Sequence, residues 1–249
     1  MVNIGNSNCT VYIGDTEVSA IYVGTTQIYP NSGPTPPEPS GQTDYTKEYL
    51  TFNISSAGQI KWFCNNQQTT NRKTIQYSTD NGSTWTSITS NRSAPSINVT
   101  TGDKVLFKGD NGTYMGSSNS YYNSFSGSTA GFELEGNIMS LIDSTNFSGL
   151  TSLPQTYTFQ YMFAGCTGLT SAQNLVLPAT SLVVGCYRYM FQYCRNLNYI
   201  KCLATNITGQ ALTNWVNGVA ASGTFVKASG VSWNTGVSGI PQGWTVIEE

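Results

Sequence analysis

The chain has 249 residues, 39% of them hydrophobic and only 10% charged, with a net charge of −2 and no histidine. The sparse charge and the lack of any basic run argue against nucleic-acid binding. Without histidine there is no Ser-His-Asp or Cys-His nucleophile, no histidine-held zinc and no histidine pH switch. Six cysteines, at 9, 64, 166, 186, 194 and 202, form no Cys-x-x-Cys pair, so no zinc ribbon or thioredoxin-type site is expected and no cofactor is implied. No segment approaches the roughly 18 apolar residues of a membrane span. Residues 1–12 lack the basic and apolar regions of a signal peptide, so none is expected.

Residues 1–29 contain a short duplication. Tyr12-Ile13-Gly14-Asp15-Thr16-Glu17-Val18 is echoed by Tyr22-Val23-Gly24-Thr25-Thr26-Gln27-Ile28. Each copy reads as a β-hairpin about a Gly-Asp-Thr or Gly-Thr-Thr turn, with Tyr29 on the last strand. A segment this small cannot bury its own core, so it is expected to dock on a partner as an anchor through Tyr12, Ile13, Tyr22, Val23 and Tyr29. Residues 30–44 hold five of the nine prolines. They read as a semi-rigid polyproline linker, reaching roughly 45 Å at about 3.1 Å per residue.

Residues 45–135 read as a β-sandwich of Ig-like type, with strands expected at 49–54, 59–64, 74–78, 85–88, 96–99, 104–108 and 131–135. The run Ser78-Thr79-Asp80-Asn81-Gly82-Ser83-Thr84-Trp85 matches the Asp-box of sialidases and related propellers. It is expected to be a structural hairpin, with Asp80 capping the turn, Gly82 at positive φ and Trp85 packed beneath it. Glu133 and Glu135 share one face of a strand and superficially resemble a glycosidase pair, but a solvated face explains them better. The loop 113–130 carries Tyr114, Tyr121, Tyr122 and Phe125 among Gly, Ser and Asn. Aromatic platforms beside amides suit sugars, which makes Tyr114, Tyr121 and Tyr122 candidate glycan or host contacts; pinning the loop to its own domain is the competing reading.

Residues 136–249 are organised by a repeat. Tyr161-Met162-Phe163-Ala164-Gly165-Cys166-Thr167-Gly168-Leu169 recurs 28 positions later as Tyr189-Met190-Phe191-Gln192-Tyr193-Cys194-Arg195-Asn196-Leu197. This is the period of a solenoid and not of a catalytic motif. Tyr161, Met162, Phe163, Cys166, Leu169, Tyr189, Met190, Phe191, Cys194 and Leu197 are therefore read as buried structural rungs. Segments 156–163 and 186–191 are expected as short helical turns, and 169–172 and 197–200 as strands that stack from turn to turn. Thr205-Asn206-Ile207 echoes Thr180-Ser181-Leu182, and the tryptophan-rich residues 211–249 are expected to cap the stack. The fold class is thus mainly β: hairpin anchor, sandwich and a short α/β solenoid, which the resemblance below makes one of leucine-rich-repeat type.

The paired Tyr-Met-Phe-x-x-Cys-x-x-Leu cores, the preceding Gly-Asn-Ile-Met-Ser-Leu-Ile and the closing Gly239-Ile240-Pro241-Gln242-Gly243-Trp244-Thr245-Val246 resemble the BspA-like leucine-rich-repeat surface proteins of Bacteroidetes. They also resemble virion proteins of phages infecting those bacteria, including crAss-like phages. The resemblance covers roughly 45–249; residues 1–29 are similar to hairpins of such phages' structural proteins. It implies adhesion or display and supplies no catalytic residue. The expectation is a non-enzymatic phage virion protein, a head fibre, capsid decoration or tail-fibre component, made in the host cytoplasm and released by lysis. Its N-terminus would meet other virion proteins, and its C-terminal domains a host-surface glycan or protein. It would be a homo-oligomer, with no nucleic-acid or membrane partner. The alternatives are a bacterial cell-surface adhesin or glycan-binding module and, resting only on the Asp-box and the glutamate pair, a glycosidase.

Overall fold

Short apolar-polar alternations between Gly, Asn and Ser turns favour strands, and strands are what the chain forms. The computed structural model describes residues 43–114, 121–207 and 209–249, together with the backbone of five short strands nearer the N-terminus. The protein is mainly β, with 34% of residues in strands against 5% in helix. Among the described residues the helical part consists of short 3-10 turns at Thr69–Asn71, Ile138–Leu141 and Phe147–Gly149.

Two compact units divide the chain, 1–43 and 44–249. In the first, β2 (Val11–Ile13) pairs antiparallel with β3 (Thr16–Val18), and β1 (Val2–Asn3) adds to the other side of β2. A second hairpin joins β4 (Ile21–Val23) to β5 (Thr26–Tyr29). The strands fall where the duplication places them. Their side chains, and residues 30–42 of the expected linker, lie outside the described residues.

In the second unit the antiparallel strands are β6 (Leu50–Ser56), β7 (Gly58–Lys61), β8 (Phe63–Cys64), β9 (Thr74–Ser78), β10 (Thr86–Thr89), β11 (Ser96–Val99), β12 (Lys104–Lys108), β13 (Asn123–Ser124) and β14 (Gly131–Asn137). Later come β15 (Leu169–Val176), β16 (Ser181–Leu182), β17 (Tyr199–Cys202), β18 (Asn206–Ile207), β19 (Thr224–Lys227) and β20 (Thr245–Glu248). One nine-stranded sheet runs in the order β10-β9-β12-β6-β14-β15-β17-β19-β20. It is antiparallel as far as β14 and parallel beyond it. Alternation along β6 and β12 turns Leu50, Phe52, Ile54, Val105 and Phe107 into the core, where the Phe52 ring meets Phe107, Phe125 and Phe132 at 4.5–5.0 Å. Ile60, Ile97 and Val99 of the separate β7–β11 ribbon join the same core.

The boundary expected between 135 and 136 falls inside β14. That strand is bonded to β6 on one side and to β15 on the other, so residues 45–135 and 136–249 share one sheet and one hydrophobic core.

Opposite the parallel strands the chain runs in rows of β-turns. In the row 157–166 the N–H groups of Tyr157, Phe159, Tyr161, Phe163 and Gly165 donate to carbonyls of the next row at Val184, Cys186, Arg188, Met190 and Gln192, at 2.7–2.9 Å. The intervening N–H groups of Gln160, Met162, Ala164 and Cys166 donate back three residues within their own row, at 3.0–3.2 Å. Residues 185–194 repeat both patterns toward Gln210, Ala211, Thr213, Trp215 and Asn217. Every fourth residue takes positive φ: Tyr157, Tyr161 and Gly165, then Gly185, Tyr189 and Tyr193, then Asn214 and Gly218. The short helical turns expected at 156–163 and 186–191 are therefore rows of β-turns. Half of their N–H groups are committed to a neighbouring row, and the left-handed residues interrupt any helical run.

Candidate functional site

The rows bring aromatic side chains into three columns, and all three begin in the loop 113–125. The Tyr114 N–H donates to Thr158 O at 2.9 Å and the Phe125 N–H to Met162 O at 2.8 Å, the same link that joins Phe163 to Met190 and Phe191 to Trp215. Two columns are inside. Tyr114, Phe159 and Tyr187 stack at 6.0 and 6.3 Å, and Phe125, Phe163 and Phe191 at 5.9 and 5.7 Å. Cysteine follows the same rule: Cys166 Sγ donates to Phe125 O at 3.3 Å, and Cys194 Sγ to Phe163 O at 3.0 Å. Burial pushes the Cys186, Cys194 and Cys202 thiols up to about 12, and Cys166 well upward too. Neutral thiols packed this deeply are apolar filling and not nucleophiles. The five described cysteines are free.

The third column is on the outside. Tyr122, Tyr161 and Tyr189, each half-buried, stack at 4.2 and 4.5 Å with interplanar angles of 24° and 22°. The Arg188 guanidinium lies 4.8 Å from the Tyr189 ring, and its Nη2 donates to the Tyr189 hydroxyl at 3.3 Å. That bond lowers the phenol pKa of Tyr189 and raises that of Arg188, whereas burial raises those of Tyr161 and Tyr122. Because the rings cover one another's faces, the column offers mainly hydroxyl edges and one cation to a partner. On either side, Tyr157 folds over Gly185 and Tyr193, 51% exposed, folds over Gly218. Both glycines have positive φ, and a Cβ on Gly185 would sit inside the Tyr157 ring.

Several expectations change. Tyr114 is not a surface contact: it is fully buried and its hydroxyl donates to Leu141 O, because the loop is itself the first row of the stack. Tyr121 is half-buried, and Tyr122 reaches the surface as the first ring of the outer column. Of the ten repeat residues, Met162, Phe163, Cys166, Leu169, Met190, Phe191, Cys194 and Leu197 are fully buried, but Tyr161 and Tyr189 are not. Positive φ turns their side chains outward. Tyr12, Ile13, Tyr22, Val23 and Tyr29 lie in strands whose side chains are outside the described residues. Tyr157, Arg188 and Tyr193 were missed. The available signal was a spacing of four, Tyr157-Tyr161-Gly165 against Gly185-Tyr189-Tyr193, which interchanges ring and glycine between rows.

The Asp-box is a hairpin joining β9 to β10. Thr84 donates to Asp80 through Oγ1 at 2.6 Å and through its N–H at 2.9 Å, Ser78 Oγ donates at 2.7 Å, and these bonds hold the carboxyl down at about 2. Trp85 packs against Tyr49 at 5.0 Å and under the Lys108 ammonium at 4.0 Å. Glu133 is exposed, and Glu135 pairs with Lys104 at 3.0 Å. Among the described residues no cluster of His, Cys, Asp or Glu could hold a metal, and no helix is long and apolar enough to cross a membrane. No family model, curated protein or solved structure matches the chain.

Proposed function

We propose that this chain is a phage virion structural protein, a head-fibre, decoration or tail-fibre component that displays its C-terminal unit toward the host surface. In this reading the rows and parallel strands are a short repeat stack of leucine-rich-repeat type, and the antiparallel strands with the β7–β11 ribbon are a sandwich-like base fused to it. The observation that carries the reading is the outer column Tyr122-Tyr161-Tyr189 with Arg188. A rigid core holds polar-edged aromatics at positions where three of the equivalent positive-φ residues are glycine and another is asparagine. Holding a bulky residue left-handed costs on the order of 1–3 kcal/mol, so tyrosine there needs a compensating role. Stacking supplies part of it and contact with a partner the rest. The two N-terminal hairpins and the proline-rich segment suit an anchor and spacer.

Immunogold labelling of purified virions with antibody against residues 157–249 tests the reading. Label on intact particles is expected, and removal of residues 1–29 should release the protein from them. An unlabelled particle, with the antigen found on bacterial cells, would overturn it in favour of a bacterial adhesin.

A further inference from the structure

The two edges of the nine-stranded sheet are finished differently. A repeat stack usually ends in a segment with a polar outer face, and an exposed sheet edge usually carries polar or charged side chains. The β10 edge follows that rule, since its exposed residues are Thr86, Ser87 and Thr89. The β20 edge does not, and among the described residues no strand lies beyond it. Five large hydrophobic residues are exposed among the described ones, and three of them, Val237, Val246 and Ile247, lie in the last layer of the stack at 44–47% exposure. Val237 belongs to that layer because its carbonyl accepts from the Val216 N–H of the last row.

The backbone of β20 narrows what can cover it. Thr245 N–H donates to Gly223 O at 2.8 Å and Glu249 N–H to Lys227 O at 3.0 Å, so the odd-numbered residues bond toward β19. Alternation then turns the N–H and C=O groups of Val246 and Glu248 to the open side. An antiparallel copy of the same strand, centred on Ile247, sets each Val246 against the other copy's Glu248. Both open residues then exchange a pair of hydrogen bonds, and the two Ile247 side chains meet on the two-fold axis at a Cα separation of about 4.5 Å. Sliding the copies two residues one way would oppose the two Glu248 carboxylates; sliding them the other way would set Glu248 against Trp244, outside the strand. In the centred register no like charges face each other. Glu248 is already neutralised on its own sheet, where its Oε1 accepts from Lys227 Nζ at 2.5 Å and its Oε2 from Ser229 Oγ and Gly230 N–H at 3.2 Å.

We infer that β20 is the interface through which two copies of this chain pair edge to edge, antiparallel and centred on Ile247, joining their sheets into one. The interface shares no residue with the tyrosine column and does not depend on the virion reading.

Sedimentation equilibrium of the full chain tests it. A monomer–dimer equilibrium with a Kd on the order of 10 µM is expected, as suits a short edge contact. Val246→Pro removes an outward donor and no bond to β19, and Ile247→Lys sets two ammonium groups against each other on the axis. Each should weaken dimerisation at least tenfold, with thermal unfolding as the check that the variant remains folded. Oxidation of Ile247→Cys should cross-link two copies above the background of the parent, because a disulfide spans a Cα separation of roughly 4.4–6.8 Å; Thr245→Cys, displaced from the axis, should not. The inference is overturned if the parent stays monomeric at about 50-fold that concentration, if either folded variant dimerises as well as the parent, or if Thr245→Cys cross-links as readily as Ile247→Cys.

Discussion

The antiparallel and parallel halves of the nine-stranded sheet bury aromatic rings in different ways. In the antiparallel half the rings form a cluster, where Phe52 alone meets Phe107, Phe125 and Phe132 within 5.0 Å. Against the parallel half they form columns, where each ring meets its counterpart in the row before and the row after, as Phe163 meets Phe125 and Phe191. A cluster distributes its contacts in several directions. A column depends on nearest neighbours, so a fault in one row is felt by the next.

The sharpest way to break this contrast is Phe159→Ala, at the middle of the inner column Tyr114-Phe159-Tyr187, because Phe163 also lies 6.1 Å from Phe52 of β6. A loss of about 3–5 kcal/mol is expected on chemical denaturation. Native-state hydrogen exchange should lose protection along 157–166 and 185–194 while β6 and β12 stay protected; equal loss in both halves would refute the comparison. Gly185→Ala is next, at about 2 kcal/mol, because it combines a left-handed alanine with a displaced Tyr157 ring. In a Tyr157→Ala background only the backbone part, about 1 kcal/mol, should remain, a difference that a double-mutant cycle measures.

Tyr187→Phe acts in the other direction. The Tyr187 hydroxyl is buried without a hydrogen-bond partner, so its removal should stabilise by about 1 kcal/mol and raise Tm by roughly 2–4 °C. Glu135→Gln, in the antiparallel half, is the smallest. It breaks only the Lys104 pair at the sheet surface, and a loss below about 1 kcal/mol, further reduced by added salt, is expected.

The sequence carried local order well. Expected and observed bounds coincide for β9, β11 and β12, where alternation and turn residues act over a few positions. The echo of Thr180-Ser181-Leu182 in Thr205-Asn206-Ile207 is also the register of β16 on β18, with Ser181 beside Asn206 and Leu182 beside Ile207. What stayed hidden was long-range. β14 joins β6, which lies far earlier in the chain, to β15, and nothing local in either strand announces it. The first row of the stack shares only its aromatic residues with the later rows, since its equivalence is set by which carbonyls accept, so Tyr114 read as exposed. Outward tyrosines at positive φ could not be foreseen from residue type, because tyrosine is a poor indicator of that conformation.

The backbone links between these rows of turns point one way: each row donates alternate N–H groups to the carbonyls of the next row along the chain. The last donors meet the closing segment, Asn214 N–H at Ser238 Oγ (2.9 Å) and Val216 N–H at Val237 O (3.2 Å). A structure joined in this directional manner leaves its unmatched donors at one edge only, so it is the last row whose donors need a differently built segment beside them.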